Sequence, residues 1–254
     1  MYRPRVIPCL LLRGHGLVKT RRFKDAVYVG DPVNAVRIFS EKEADELVLL
    51  DIDASKEGRE PNFELVEEIA GECLMPIGYG GGVTTLAQVK RLIRSGVEKV
   101  IINSAAALGS MAIISEAAAS FGSQAVVGAV DVRQSFMKGY RLTAKSATVD
   151  TSLKLEDHVR ALVDAGAGEI LVNNVDADGM MSGFDLKLIR RVADSVDVPV
   201  VACGGAGTIG HLAEAIHEGG ASAVAAGSMF VFHGKHRAVL INYNPAELAA
   251  VGGH

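Results

Sequence analysis

Eight short, almost continuously apolar runs set the strongest limit on what this chain can fold into. They are RVIPCLL (5–11), ELVLLDI (46–52), MPIGYG (75–80), KVIINS (99–104), AVVGAVDV (125–132), EILVNNV (169–175), VPVVACG (198–204) and AVAAGS (223–228). A strand wetted on one face alternates apolar and polar residues, whereas these runs are apolar on both, as strands of a covered parallel sheet must be. Between most of them lie stretches with helical spacing: FELVEEIAGE, TLAQVKRLIRSG, SMAIISEAAASFG, LEDHVRALVDAG, DLKLIRRVADS and IGHLAEAIHEGG. Several end in the glycine that a helix C-terminus favours. Eight such strands alternating with helices predict an α/β fold, a closed parallel (β/α)8 barrel filling residues 1–254 as one domain. An open doubly wound sheet is the alternative. The length of 254 residues and the apolar fraction of 49% suit a single barrel core.

An internal repeat narrows this further. ELVLLDIDASKEG (46–58) matches EILVNNVDADGMM (169–181), setting Glu46 on Glu169, Asp51 on Asn174 and Asp53 on Asp176. YGGGVTTLAQVKRLIRSGVEKVIINSA (79–105) matches CGGAGTIGHLAEAIHEGGASAVAAGSM (203–229). That pairs Gly80-Gly81 with Gly204-Gly205, and Asn103-Ser104 with Gly227-Ser228. Two half-barrels of four βα units explain the spacing, and two like halves should carry two like ligand sites on one rim.

The reactive rim of such a barrel is where strands end and βα-loops begin. Four small-residue turns fall there: Gly80-Gly81-Gly82, Asn103-Ser104, Gly204-Gly205 and Gly227-Ser228. Glycine lets backbone N–H groups approach an anion, and the following helix adds its dipole. The four read either as two phosphate sites for an elongated substrate or as ordinary tight βα-turns. The rim acids are Asp51, Asp53, Asp131, Asp176 and Asp178. Asp131 ends the fifth strand, and the repeat sets Leu11 in its place in the first. Two facing carboxylates would supply an acid and a base. A leucine supplies neither.

The remaining features exclude more than they assign. A formal charge of −4 argues against a general nucleic-acid binder. No apolar run approaches the roughly 18 residues that span a bilayer, and the N-terminus shows no cleavage-site pattern. A cytoplasmic protein without membrane insertion is expected. Cys9, Cys73 and Cys203 form no CxxC and read as buried free thiols. His15 reads as a solvated loop residue; His211, His217, His233, His236 and His254 share no metal spacing, so neither metal nor cofactor is expected. Arg13, Lys19, Arg21, Arg22 and Lys24 form a basic cluster that either clamps a phosphorylated ligand or is solvated surface. Residues 243–254 read as a short final helix or a tail.

VIPCLLLRGHGLVK, DELVLLDIDAS, GGGV, INSAA, FGSQAVVGAVDV, AGEILVNNVDADG, GFD and GGAG together resemble the cyclase subunit of imidazole glycerol phosphate synthase. The resemblance spans about residues 3–242. It implies a (β/α)8 barrel that pairs with a class I glutamine amidotransferase as a heterodimer and receives ammonia through its centre for a bisphosphorylated ribonucleotide at the rim. The family's strand-five catalytic Asp maps to Asp131 and its strand-one Asp to Leu11. Asn173 stands where the cyclases carry Thr. Lys19 in the family's mobile loop, Asp51, Asp176, Gly179 and the turn residues Gly81, Gly82, Asn103, Ser104, Gly204, Gly205, Gly227 and Ser228 match substrate- and phosphate-binding positions.

At the opposite end the resemblance implies an ammonia gate of Arg5, Glu46, Lys99 and Glu169, with Glu98 and Gln124 on the face that meets the glutaminase. Taken on their own, those four charges are equally a barrel plug. CLLLRGHGLVKT, VGDP, DIDASKEGREPNFELVEEIA and LINYN look closest to a paralogue group that accompanies amidation of bacterial surface-polysaccharide (O-antigen, lipopolysaccharide) sugars. That likeness implies a barrel that conducts ammonia to a separate sugar amidotransferase. The alternatives are a histidine-pathway cyclase that recruits Asp53 or Asp178 in place of Leu11, a phosphosugar isomerase of the sister barrel family, and a regulatory barrel.

Overall fold

The structure, a computed structural model, describes residues 3–135, 139–234 and 236–253. Eight parallel strands close on themselves: β1 (Arg5–Arg13), β2 (Leu47–Asp51), β3 (Ile77–Gly80), β4 (Lys99–Ile102), β5 (Val126–Ser135), β6 (Glu169–Asn174), β7 (Val200–Cys203) and β8 (Ala223–Ala226). Each pairs with the next in chain order, and β8 returns to β1 with Arg5 beside Ala223. The expected (β/α)8 barrel is the observed fold. The apolar character on both strand faces has a direct cause. Ile7, Val48, Ile101, Val127, Leu171 and Val201 point into the barrel, while Val6, Leu10, Leu47, Leu49, Val100 and Ile170 point out into the helix layer. Each fully buried Leu or Ile contributes about 2 kcal/mol to the fold.

The main helices are α1 (Pro32–Glu41), α2 (Phe63–Gly71), α3 (Leu86–Arg94), α4 (Ala112–Phe121), α5 (Leu155–Asp164), α6 (Leu186–Ala193) and α7 (Ile209–His217), with a last turn α8 (Pro245–Leu248) running into a 3-10 turn at Ala249–Gly252. The sequence reading did not mark α1. Its signal is Asp31-Pro32: the Asp31 carboxylate accepts the Asn34 N–H at 2.8 Å, and Pro32 fits the first helical position.

Two strands overrun their expected ends. β1 continues to Arg13 and turns into an antiparallel hairpin, Gly16–Arg21 with Lys24–Gly30. β5 continues to Ser135 and pairs with Gly139–Ala144. Of the other strands, β3 ends at Gly80 as expected and the rest stop one or two residues short of their expected limits.

The structure also corrects the register of the repeat. Leu50 pairs with Gly80, and Asn173 pairs with Cys203. Gly81-Gly82 are therefore the counterparts of Gly204-Gly205, one residue later than the sequence match gives. Both pairs hold positive φ, at 116° and 71° in the first half and 87° and 118° in the second. A Cβ on Gly81 would lie 2.4 Å from the Asp51 carbonyl oxygen, and one on Gly204 2.6 Å from the Asn174 carbonyl oxygen. The N-caps Thr85 and Thr208 keep this register. The shift is recovered in the connection after α7, which is one residue longer than that after α3.

Candidate functional site

A cavity of about 930 Å³ opens at the C-terminal ends of the strands. Leu11, Lys19, Asp51, Gly81, Gly82, Asn103, Ser104, Asp131, Asn173, Gly179, Gly204, Gly205, Gly227 and Ser228 all line it. Asp176 does not. Its carboxylate instead receives the Gln134 N–H at 2.8 Å.

Asp131 is the centre of the polar wall. It is clamped from both neighbouring strands: Asn103 donates to one carboxylate oxygen at 2.7 Å and Asn173 to the other at 3.4 Å. Burial pushes its pKa up to about 7, with Asp178 adding to the rise and the two amides holding it back. Such a carboxyl exchanges its proton near neutral pH. The side-chain oxygen of Asn173, Oδ1, is buried beside Gly204 and has no protein donor.

Leu11 occupies the equivalent strand position in the other half. Leu11 pairs with Leu50 as Asp131 pairs with Asn173. Gly227 stands where Asn103 stands, with nearly the same backbone (φ −111°, ψ −71° against φ −120°, ψ −77°). Glycine is required at 227 because a Cβ would lie 2.1 Å from the Lys19 Nζ and 2.8 Å from the Cys9 carbonyl oxygen. The triad Asn103–Asp131–Asn173 is thus mirrored by Gly227–Leu11–Leu50, which carries no proton donor or acceptor on a side chain.

Lys19 lies not in a loop but in the hairpin strand Gly16–Arg21, buried, with its ammonium donating to the Cys9 carbonyl. Burial lowers its pKa. The hairpin is pinned to the β6 loop by Asp178, which accepts from the Thr20 hydroxyl at 2.6 Å and the Phe23 N–H at 3.2 Å. Asp51 shapes its own turn by accepting from the Asp53 and Ala54 N–H groups, as Asn174 does with Asp176 and Ala177. Asp53 pairs with Arg13 at 2.8 Å and Lys56 at 3.2 Å.

The sequence reading missed two features of this cavity. Cys9 and Cys203, taken as unrelated buried thiols, both line it and lie close enough for each to shift the ionisation of the other. Cys203 and Cys73 are only partly buried, unlike Cys9. Lys145 and Ser146 also line it, and the Lys145 N–H donates to the Ser104 hydroxyl at 2.9 Å. Among the described residues no group of three or more His, Cys, Asp or Glu could hold a metal ion; His254 lies outside them. No helix among them is long and apolar enough to cross a membrane.

At the other end of the barrel Arg5, Glu46, Lys99 and Glu169 form a closed ring. Arg5 pairs with both glutamates, and Lys99 lies 2.9 Å from each. Alternating signs let each charge satisfy two neighbours, which offsets the cost of burying them. Burial works against the charge of Arg5, yet Glu169 and Glu46 hold its pKa above the usual value. Glu98 and Gln124 are exposed at this same end, just before β4 and β5. Leu74, 88% exposed before β3, joins them as a residue the sequence reading did not single out.

The histidine biosynthesis protein family matches residues 5–237. A Pseudomonas aeruginosa protein named "Putative imidazole glycerol phosphate synthase subunit hisF2" is 53% identical over 252 residues, covering 99% of this chain and all of that protein. A Leptospira borgpetersenii protein of the same name, as subunit HisF, is 48% identical over 244 residues, 96% of each chain. A Vibrio vulnificus protein so named, as hisF3, is 46% identical over 249 residues, 97% of this chain and 95% of that one.

Proposed function

Because the chain belongs to the histidine biosynthesis protein family, among its HisF-like synthase subunits, we propose that it receives and conducts ammonia for a partner enzyme instead of closing an imidazole ring. The observation that carries this reading is Leu11. The strand position equivalent to Asp131 has no titratable group, and its two flanking positions are Gly227 and Leu50. Removing a general acid or base costs roughly 10²–10⁴ in rate. Neither of the two acids weighed as substitutes is free to replace it: Asp53 is paired with Arg13 and Lys56, and Asp178 holds the hairpin.

The other end of the barrel supports conduction. A class I glutaminase docks on the face of Glu98 and Gln124 and delivers ammonia at the ring of Arg5, Glu46, Lys99 and Glu169. Beyond the ring the interior is apolar, with small side chains at Gly78, Ala129, Ala223 and Ala225. An ammonium ion is excluded from such a wall by desolvation, while neutral ammonia passes. In this reading it is used by a sugar amidotransferase in building a bacterial surface polysaccharide.

The test is a glutamine-dependent assay of the barrel with its glutaminase and the bisphosphorylated ribonucleotide of the cyclases. Complex formation without ring-closed product is expected, followed by amidated sugar once the amidotransferase is added. Ring closure at an ordinary enzymatic rate would sink the proposal. It would favour the second reading, a cyclase, for which Asp131 and the preserved turns speak.

A further inference from the structure

The structure sorts the basic cluster near the first strand into committed and free members. Arg13 is paired with Asp53, and Lys19 donates to the Cys9 carbonyl. Arg21 has no acid within pairing distance among the described residues, and neither has Arg237, which comes from the far end of the chain. Gly179 of the β6 loop brings the two together. A Cβ on Gly179 would lie 3.2 Å from the Arg21 Cα, and both terminal nitrogens of Arg237 lie 3.4 Å from the Gly179 carbonyl oxygen.

The guanidinium of Arg237 is also stacked on Phe232, 4.5 Å from the ring centre. Two like charges held this way repel each other. Burial and the charge of Arg21 together lower the pKa of Arg237. A preorganised guanidinium fork without a carboxylate, as Arg237 presents, matches the oxygens of a phosphoryl group.

The same loop reaches inward to a glycine turn. The Gly183 N–H donates to the Gly205 carbonyl at 2.9 Å, and Gly179, Gly204 and Gly205 share the cavity wall. One short loop therefore joins the inner turn to the outer pair of arginines. We infer that the mouth of the barrel carries an outer phosphoryl site formed by Arg21 and Arg237, and that the ligand it takes is a diphosphate whose inner phosphoryl group sits on the Gly204-Gly205 turn. This rests on reading Gly204-Gly205 as a phosphate-binding turn; it does not depend on glutaminase docking.

Calorimetric titration of the full chain with inorganic pyrophosphate and, separately, orthophosphate tests it. Pyrophosphate should bind at least about tenfold more tightly than orthophosphate. Arg21→Gln and Arg237→Gln should each lower pyrophosphate affinity about tenfold and leave orthophosphate affinity unchanged. Lys90→Gln, on the exposed side of α3, controls for general charge. Arg237→Lys separates a lost fork from a lost fold, because it keeps the charge and should recover only part of the affinity. Equal binding of the two anions, or arginine variants no weaker than Lys90→Gln, would overturn the outer site and leave the inner turn standing. Failure of the wild-type chain to bind either anion would overturn both, without touching complex formation with the glutaminase.

Discussion

The two halves of this barrel share a backbone and differ in chemistry. At the rim, Asn103, Asp131 and Asn173 make a hydrogen-bonded polar triad in one half. Gly227, Leu11 and Leu50 occupy the same strand positions in the other. At the entrance the halves remain alike where it counts: Glu46 and Glu169 stand at equivalent positions and share the same two cations. The cations themselves are not duplicated: Lys99 stands where the second half carries Ala223, so one set of positive charges serves the glutamates of both halves. A ring of charges is maintained by electrostatic pairing that any loss would unbalance, whereas Leu11 replaces a carboxylate at the rim without harm to the fold.

Making the halves alike again should produce the largest effect. Leu11→Asp places a carboxylate beside Leu50 and Gly227 with no amide to hold it, in a position 8% exposed. A loss of about 4 kcal/mol at pH 8 is expected, from lost apolar burial and an unpaired buried charge. The loss should shrink at pH 5, where a carboxyl raised by burial is neutral. Denaturant unfolding at the two pH values checks this. Adding Leu50→Asn should restore part of the stability, and the single variant should gain no ring-closing activity.

The reverse experiment removes charge from the polar half. The folded-state pKa of Asp131, about 7, lies above its unfolded value. Its contribution to stability is therefore fully present below the unfolded pKa and is lost as pH rises towards 7. Asp131→Asn lacks that term. Relative to wild type it should be more stable at pH 8 than at pH 5 by about 2–3 kcal/mol, read from paired denaturation curves. An offset independent of pH would mean that Asp131 is ionised throughout.

The charged ring offers the counter-case, in which equivalent positions should respond equally. Glu46→Gln and Glu169→Gln each leave Arg5 and Lys99 short of a partner. The two cations are about a quarter and a fifth exposed, so water relieves part of the penalty, and about 2 kcal/mol is expected for each. Lys99→Ala should leave the barrel folded but release ammonia to solvent when the glutaminase turns over. Retention equal to wild type would count against the conduit.

What could be read from the sequence followed from what burial does to composition. The eight strands were visible because both faces are apolar, and Leu11 against Asp131 because β1 and β5 end alike. The hairpin strand Lys24–Gly30 was not, since it is largely exposed and leaves no buried pattern. Nor was the glycine register: in a run of Gly80, Gly81 and Gly82 any two align with Gly204-Gly205, and only strand pairing and φ select between them. The nearness of Cys9 to Cys203, and the binding of the hairpin by Asp178, depend on closure of the barrel. Local sequence holds no record of either.

The smallest effect tests the shared backbone itself. Thr85 caps α3 by accepting the Gln88 N–H at 3.3 Å, and Thr208 caps α7 by accepting the His211 N–H at 3.2 Å. The next contact is also reproduced, by different atoms: Gln88 Oε1 accepts the Thr84 N–H at 2.8 Å, and His211 Nδ1 accepts the Gly207 N–H at 3.2 Å. An amide and an imidazole thus do one job at the start of each helix that follows a glycine turn. Thr85→Ala and Thr208→Ala should each cost about 1 kcal/mol, equal to within a few tenths, in thermal or denaturant unfolding. Equal costs would show that the caps are held for geometry, independent of the chemistry each half presents. A cost confined to one half would mean that the loss of symmetry at Leu11 extends down into the frame that positions the turns.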